Sequence, residues 1–317
     1  MKSDLDRMRI VGVQDESDCV RSFRLAGLVG ERLPEWEPGA HLEIVLPSGL
    51  VRQYSLCGDP RNADEYQIAV LREPASRGGS VELHDEIKPG HELEVRAQRN
   101  NFMLRTAPSY LFVAGGVGIT PILPMIDAAE RQGIPWRLVY GGRGRSSMAF
   151  LERILAYGPE RTDIVAEDER GFPDLAGEIA GTAGALVYAC GPEGLLRAVE
   201  DAAAAEDLSK SLHLERFAAA SDRQVSSAGS AFEVELRQTG KVLTVGEGTT
   251  ILEAVREVLP ETMSSCEEGF CGTCETRVVE GVPDHRDSLL SEEERVANDT
   301  MMICVSRAAC GRLVLDL

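Results

Sequence analysis

The sequence predicts a multidomain protein with an antiparallel β-barrel, an α/β doubly wound domain and an α+β domain. Three observations support this order: short β-like segments in the first hundred residues, alternating strand and helix patterns in the middle, and a cysteine cluster near the C-terminus. The chain has 317 residues, of which 43% are hydrophobic and 27% are charged. This length and composition suit two or three domains and exclude a disordered or collagen-like chain.

The first hundred residues contain short apolar segments separated by turns. Strands are predicted at residues 41–46, 51–56, 66–71 and 92–96. Pro47-Ser48-Gly49 and Pro89-Gly90 supply the turns before the second and the fourth of these strands. Short strands with such punctuation are typical of a small antiparallel barrel.

Strand and helix patterns alternate from about residue 110. The continuous apolar segment 111–114 predicts a strand buried on both faces, and a glycine loop follows it. Helices are predicted at 122–131, 148–157, 175–180 and 193–206, and strands at 137–140, 162–166, 185–190 and 212–214. This alternation predicts a parallel, doubly wound sheet.

A small, polar segment, 218–229, predicts a linker before the third domain. Beyond it we expect strands at 232–237 and 241–245 and a helix at 251–259, with Thr249 or Thr250 as N-cap. The predicted domains therefore span residues 1–105, 106–217 and 230–317.

Charge excludes several partners. The net charge is −19, and nucleic-acid binding requires an excess of Lys and Arg. Residues 106–126 are uncharged and long enough to span a membrane, but their three Gly and three Pro favour a buried strand and loop. The charged N-terminus lacks the apolar segment of a signal peptide. We expect a cytoplasmic monomer that binds neither membranes nor nucleic acid.

Half of the eight cysteines fall within 39 residues, namely Cys266, Cys271, Cys274 and Cys304. The spacing C-x4-C-x2-C with a distant fourth cysteine is typical of a plant-type [2Fe–2S] cluster. The glycines between them would let backbone N–H groups approach the sulfur atoms. A zinc site is the alternative, although zinc sites usually combine two C-x2-C pairs. Cys310 is predicted to be a buried apolar residue rather than a ligand.

A glycine-rich loop lies between the first strand of the doubly wound domain and its first helix. Its candidate nucleotide-binding residues are Gly115, Gly116, Gly118, Thr120 and Pro121. In this context backbone amides and a helix N-terminus face a pyrophosphate, whereas glycines alone form only a tight turn. A second candidate segment ends a later parallel strand, where ligands bind in such sheets, and consists of Cys190, Gly191 and Pro192. Cys190 would lie near a nicotinamide, unless it is a small core residue.

The barrel contains two further motifs whose residues alone leave their role open. The first is a predicted strand that carries Arg52, Tyr54 and Ser55. Arg and Tyr side chains on a strand are commonly solvated. The second is a glycine turn that consists of Gly78, Gly79 and Ser80 and follows Arg77. This turn either holds a phosphate or caps a helix.

Together these motifs resemble the phthalate dioxygenase reductase type of the ferredoxin–NAD(P)H reductase superfamily, which includes vanillate demethylase reductase components. The resemblance covers nearly the whole chain, and four motifs fall in family order. It implies a flavin-binding barrel, an NAD(P)-binding α/β domain and an α+β plant-type [2Fe–2S] ferredoxin domain.

The resemblance also implies roles for individual residues. Arg52 would bind the flavin phosphate, Tyr54 would pack on the isoalloxazine ring, and Ser55 would lie near flavin N5. Gly78, Gly79 and Ser80 would close around the phosphate. Phe217, after Glu215-Arg216, matches the family position whose aromatic ring approaches the flavin, unless it is a core residue. The expected catalytic residues are Ser55, Cys190 and Phe217.

The identities of two cofactors stay open. The family's domain order implies FMN, with FAD as the alternative. Residues 140–147, after the second strand of the doubly wound domain, contain no acid to hold an NAD ribose. Arg143 in this segment could bind the 2′-phosphate of NADPH, whereas the nearest family types mostly use NADH. We expect NADH, with NADPH as the alternative.

These features predict an electron-transfer reductase that passes electrons from NAD(P)H through a flavin and a [2Fe–2S] cluster to an oxygenase. A Rieske-type aromatic-ring hydroxylating or demethylating oxygenase is the expected acceptor. A cytochrome P450 and a non-catalytic, zinc-containing binding module are the alternatives. Residues 230–317 hold 17 acidic and 8 basic side chains, including Glu267 and Glu268 in the cysteine loop. This acidity either steers docking to a basic partner surface or only favours solubility.

Overall fold

The computed structural model describes residues 7–28, 30, 32–73, 78–182, 184–217 and 230–317. The chain divides into two compact units, Met1–Phe217 and Ala218–Leu317. Arg77 and the predicted linker lie outside the described residues.

The N-terminal unit begins with an antiparallel barrel. Its elements are β1 (Arg7–Asp15), β2 (Val20–Gly27), β3 (Ala40–Val45), β4 (Val51–Ser55), β5 (Glu65–Leu71), α1 (Gly79–Glu86) and β6 (Glu92–Asn100). The strand order is β4-β3-β6-β1-β2-β5, and a bridge between Leu56 and Ile68 joins the two ends. Side chains alternate along β1, so Met8 and Ile10 enter the core while their neighbours are exposed. The predicted barrel is confirmed, and β1, β2 and α1 are additions to it.

A parallel sheet forms the rest of this unit. Its elements are β7 (Tyr110–Gly115), α2 (Ile119–Gln132), β8 (Trp136–Gly142), α3 (Leu151–Leu155), β9 (Thr162–Ala166), α4 (Glu167–Arg170), α5 (Leu175–Ala180), β10 (Leu186–Cys190), α6 (Glu193–Ala205) and β11 (Leu212–Glu215). The strand order β11-β10-β7-β8-β9 confirms the doubly wound prediction. Every residue of β7 is buried, as expected of the uncharged segment. Helix α3 is shorter than predicted because Phe150, with a φ of +58°, precedes it outside the helical conformation.

The barrel and the parallel sheet share one apolar core. Cys57 and Ala69 from the barrel belong to the same buried cluster as Ile119 of α2. The hydroxyl of Tyr188, on β10, donates to the carbonyl of Met103 at 3.1 Å and accepts the N–H of Arg105 at 2.8 Å. These bonds fix the segment that joins the barrel to the sheet.

The C-terminal unit combines a mixed sheet with two short helices. Its elements are β12 (Phe232–Leu236), β13 (Lys241–Val245), α7 (Ile251–Arg256), β14 (Glu275–Glu280), β15 (Pro283–Asp284), α8 (Glu292–Ala297), β16 (Thr300–Met302), β17 (Arg307–Ala308) and β18 (Arg312–Leu315). The main sheet has the order β13-β12-β18-β14-β16. Thr250 is the N-cap of α7 and forms a capping box with Glu253. Helix α7 ends before residue 259 because Pro260 follows and disfavours a helical residue before it.

Among the helices in the described ranges, none is both long enough and apolar enough to cross a bilayer.

Candidate functional site

Arg52 lies against the start of helix α1. A Cβ on Gly79, the first residue of α1, would lie 2.9 Å from Arg52 Cγ and 3.1 Å from Arg52 Nε. Gly78 has a φ of +105°, which favours glycine where the loop turns into the helix. The Ser80 hydroxyl accepts the N–H of Glu73 at 3.2 Å, which leaves its own O–H able to donate. A guanidinium, a hydroxyl and a helix N-terminus together form an arrangement suited to an anion.

Tyr54 and Ser55 end β4, the strand that carries Arg52. Across the β3–β4 pair, Leu42 faces Tyr54 and His41 faces Ser55. Tyr54 is half-buried against the barrel core, and burial raises the pKa of its phenol. Ser55 is buried, so its hydroxyl requires a polar partner.

That partner comes from the other half of the unit. The Ser55 hydroxyl hydrogen-bonds to the side-chain carboxyl of Glu215, the last residue of β11. Burial raises the pKa of Glu215 to about 8, although the hydrogen bond from Ser55 opposes this shift. Oε2 of Glu215 is buried without a hydrogen-bond partner among the described residues. The carboxyl group is therefore neutral at pH 7 and has one oxygen left to interact with a ligand.

Cys190 lies next to Glu215 at the carboxyl edge of the parallel sheet. It is the last residue of β10 and faces Glu215 across the β10–β11 pair. Its thiol is fully buried, and burial together with the Glu215 carboxylate raises its pKa. Glu215 is absent from the residues predicted from the sequence. Its only signal was a charged residue directly after an apolar strand, next to Arg216 and Phe217.

The two loops at the switch point of the sheet pack against each other. A Cβ on Gly118 would lie 2.2 Å from the carbonyl oxygen of Cys190, and one on Gly191 would lie 2.9 Å from the nitrogen of Gly115. Gly116 differs, since its φ is +52° and no atom lies within 4 Å of its Cβ position. Gly115, Gly118 and Gly191 are therefore needed for close backbone packing, while Gly116 borders open space.

Thr120, Pro121 and Pro192 shape the two helix starts. Thr120 and Pro121 are buried in the first turn of α2, and the Thr120 hydroxyl donates to the carbonyl of Val117 at 2.9 Å. Pro192 is the N-cap of α6. These residues orient the backbone N–H groups of both helices.

Phe217 is not a core residue, because 40% of it is exposed. Arg216, directly before it, forms ion pairs with Glu193 at 3.4 Å and Glu200 at 2.9 Å, both on α6. Two acids therefore fix the backbone between the Glu215 carboxyl and the Phe217 ring.

Two acids of helix α4 lie beside the loop that follows β8. The carboxylate of Asp168 lies over Gly144, where a Cβ would be 2.6 Å from Asp168 Oδ2. Glu169 pairs with Arg145 at 3.0 Å. Arg143 is exposed, and within the described ranges its side chain has no ion pair. Residues 140–147 contain no acidic side chain, and helix α4 thus supplies the acidic side chains beside this loop.

The four clustered cysteines are buried and lie in two pairs. Cys266 contacts Cys271, and Cys274 contacts Cys304; the hydrogen bond from Cys266 lowers the pKa of Cys271. No three Cys, His, Asp or Glu side chains in the described part of the chain converge on a single metal ion. Two pairs of thiolates fit the two irons of a [2Fe–2S] cluster, whereas a structural zinc ion needs four ligands around one point.

Cys310 lies outside these pairs. It is half-buried rather than buried as predicted, and it donates its S–H to the carbonyl oxygen of Arg312 at 2.9 Å.

Two family models match the chain. Residues 112–201 match the oxidoreductase NAD-binding domain, and residues 234–309 match the 2Fe-2S iron-sulfur cluster binding domain. The chain is 40% identical to phenoxybenzoate dioxygenase subunit beta of Ectopseudomonas oleovorans, over 98% of this chain and 97% of that protein. It is 38% identical to vanillate O-demethylase oxidoreductase of Pseudomonas putida, over 97% and 98% of the two chains.

Two solved structures share this fold. Phthalate dioxygenase reductase has a TM-score of 0.72 and 33% identity, over 98% of this chain and 97% of that chain. An intact type IV self-sufficient cytochrome P450 monooxygenase has a TM-score of 0.90 and 39% identity, over 98% of this chain. This chain covers only 41% of that enzyme.

An antiparallel barrel, a parallel sheet that matches the oxidoreductase NAD-binding domain and a unit that matches the 2Fe-2S cluster binding domain define an iron–sulfur flavoprotein oxidoreductase that uses NAD(H). The chain belongs to the phthalate dioxygenase reductase-type family.

Proposed function

We propose that this protein is the reductase component of an oxygenase system and that its acceptor is a Rieske-type oxygenase acting on an aromatic compound. The observation that carries the proposal is the pairing of Cys266 with Cys271 and of Cys274 with Cys304, in a chain whose other unit has the features for hydride transfer. Relatives named for phenoxybenzoate dioxygenation and vanillate O-demethylation support the aromatic substrate class.

A flavin accepts two electrons as a hydride and releases them singly, and a [2Fe–2S] cluster carries one electron at a time. Residues 1–105 would hold the flavin, residues 106–217 the nucleotide and residues 230–317 the cluster, with 218–229 as linker. The cluster ligands would be Cys266, Cys271, Cys274 and Cys304.

The residues of the barrel would bind and orient the flavin. Arg52, Ser80 and the backbone at Gly78 and Gly79 would hold its phosphate, while Tyr54 would pack on its ring. FMN ends in a single phosphate, which suits one guanidinium at one helix N-terminus, so we favour FMN over FAD. Heat-released flavin identified by mass spectrometry tests this assignment.

The Ser55–Glu215 pair would hold a proton beside flavin N5, with Phe217 covering the ring. A bound flavin would give up a proton along with its two electrons, and that proton needs an acceptor in the protein. Ser55 would relay that proton to the ionised fraction of Glu215, whose pKa of about 8 lets the carboxyl exchange a proton near neutral pH. Cys190, at the same sheet edge, would lie against the nicotinamide ring.

The nucleotide loops would bind NADH in preference to NADPH. The glycine loop and the Gly191-Pro192 segment would receive the pyrophosphate, and Arg143 would contact it from the loop after β8. Asp168 beside Gly144 can accept a hydrogen bond from a ribose hydroxyl, and with Glu169 it would repel a 2′-phosphate. Asp168→Ala should therefore lower the preference for NADH, measured as kcat/KM for NADH divided by kcat/KM for NADPH. An unchanged preference would assign the selectivity to other residues.

The proposed acceptor can be tested by measuring how the rate of electron transfer responds to salt concentration and to a charge reversal in the cysteine loop. A transient encounter driven by charge weakens as salt rises, because the Debye length falls from about 10 Å at 0.1 M to about 3 Å at 1 M. Glu267 pairs with Arg256 at 2.8 Å, so its charge is compensated locally, and we place the charge reversal at Glu268 in the same loop. Electron transfer to a Rieske-type oxygenase should fall with salt and fall further in Glu268→Lys.

The matched control is Glu233→Lys, at an exposed position of β12, which should leave this rate unchanged. Reduction of a small neutral quinone should respond to neither salt nor substitution. A rate with the oxygenase that is independent of salt would reject electrostatic docking. The similarity to the self-sufficient P450 favours a cytochrome P450 as the second candidate acceptor, and faster reduction of a P450 haem than of a Rieske centre would select it.

A further inference from the structure

Three side chains form a clasp around the start of the cysteine loop. Arg256, the last residue of α7, donates from Nη1 to Oε1 of Glu267 at 2.8 Å and from Nη2 to the Ser264 hydroxyl. The Ser264 hydroxyl donates in turn to the same Oε1 of Glu267 at 2.6 Å. We call Arg256, Ser264 and Glu267 the loop clasp. It attaches the residue after Cys266 to the end of a packed helix.

The backbone of Glu267 adopts a conformation that side chains rarely permit. Its φ is +55°, in the left-handed region that glycine favours. A residue with a Cβ stays in this region only when its surroundings hold it there. The loop clasp supplies that restraint through the Glu267 carboxylate.

This turn aims a hydrogen-bond donor at a thiol of the cysteine loop. After Glu267 the chain reverses, and the N–H of Glu268 donates to Sγ of Cys266 at 3.3 Å. Hydrogen bonds to the sulfur atoms raise the reduction potential of an iron–sulfur cluster, because the reduced form carries more negative charge for them to stabilise.

We propose that Glu267 is a positioning residue that sets the reduction potential of the cluster by directing the Glu268 N–H at Cys266. The proposal rests on the proposed role of Cys266 as a cluster ligand. The Arg256 and Glu267 side chains are 37% and 49% exposed, so their ion pair stabilises the fold only weakly. The main effect of this ion pair is to fix the backbone conformation of the cysteine loop.

Two variants at one position separate backbone geometry from charge. Glu267→Ala and Glu267→Gly remove the same carboxylate, but only glycine keeps a positive φ without strain. The Ala variant should have the lower potential, with reduction about tenfold less favourable than in the Gly variant, which is 59 mV for a one-electron couple. A redox titration followed by visible and electron paramagnetic resonance spectra measures this difference. Equal potentials in the two variants would overturn the proposal.

A second test keeps the charge of the loop clasp and changes its shape. Arg256→Lys retains the cation but loses the fork that binds Glu267 and Ser264 together, so it should also lower the potential and speed cluster loss to a chelator several-fold. Arg312→Lys, at the ion pair with Glu235 between β18 and β12, is the control and should behave as wild type. A wild-type potential in Arg256→Lys would also overturn the proposal. A wild-type protein that binds no cluster would instead reject the proposed function.

Discussion

Ser55 and Glu215 come from opposite halves of the N-terminal unit and share one buried hydrogen bond. Ser55 ends a barrel strand, and Glu215 ends an edge strand of the parallel sheet. Because the two halves also share an apolar core, the contact is held by packing on both sides. The proposed flavin and nucleotide sites therefore meet at this polar pair.

Glu215→Gln should remove a pH dependence from hydride transfer. The pKa of Glu215 is raised to about 8, so the carboxyl is neutral below this pH and charged above it. A negative charge beside the flavin opposes the arrival of electrons, so the wild-type rate of flavin reduction by NADH should fall several-fold above about pH 8. Stopped-flow absorbance measures the rate, with Glu152→Gln, an exposed acid of α3, as control. A pH step that persists in Glu215→Gln would assign it to another group.

Arg52→Ala should weaken flavin binding without disturbing the cluster. A hydrogen bond to a charged group contributes about 1.5–3 kcal/mol, so the dissociation constant should rise roughly 10- to 100-fold. Flavin released on dilution, measured by fluorescence, reports the loss, while the visible spectrum of the cluster should stay unchanged. Arg52→Lys should fall between wild type and Ala, since it keeps the charge and loses the fork. Tightly bound flavin in Arg52→Ala would mean that the phosphate lies elsewhere.

Gly118→Ala should damage the nucleotide site through packing. The added Cβ would meet the Cys190 carbonyl, a backbone atom that cannot rotate away. Overpacking of this kind costs about 1–3 kcal/mol, or roughly 2–12 °C in the Tm of the N-terminal unit. The KM for NADH should rise with it, whereas electrons supplied by dithionite should still reach the acceptor. Gly116→Ala is the comparison, with backbone strain but no clash; equal effects of the two changes would contradict the packing argument.

Cys304→Ser should separate the two redox steps. It removes one thiolate of the second pair and should abolish or strongly alter the [2Fe–2S] spectrum while the flavin remains bound. Reduction of a small two-electron acceptor by NADH should survive, and one-electron reduction of cytochrome c should fall sharply. Cys310→Ser, outside the pairs, should change neither activity. Collapse of both activities in Cys304→Ser, with the N-terminal unit still folded, would reject the sequential route.

The order of the barrel, the parallel sheet and the iron–sulfur domain was predictable from the sequence, as was the position of the cysteine-rich loop. Both are local signals: short apolar segments with turns predict a barrel, an uninterrupted apolar strand predicts a buried parallel sheet, and C-x4-C-x2-C lies within one loop. Even the missed strands β1 and β2 fall inside the predicted barrel. They were missed because neither is a continuous apolar segment: exposed residues such as Arg9 and Arg24 interrupt the buried ones.

The contacts between distant residues, by contrast, became visible only in the three-dimensional structure. It paired Ser55 with Glu215, brought Asp168 to Gly144, and gave Gly118 a partner in the Cys190 carbonyl. It also showed that Arg256 compensates Glu267, a residue that the sequence presents only as one acid in an acidic loop. Such contacts join residues that are far apart along the chain. They depend on strand order and on which strand ends share an edge, and no local pattern encodes either.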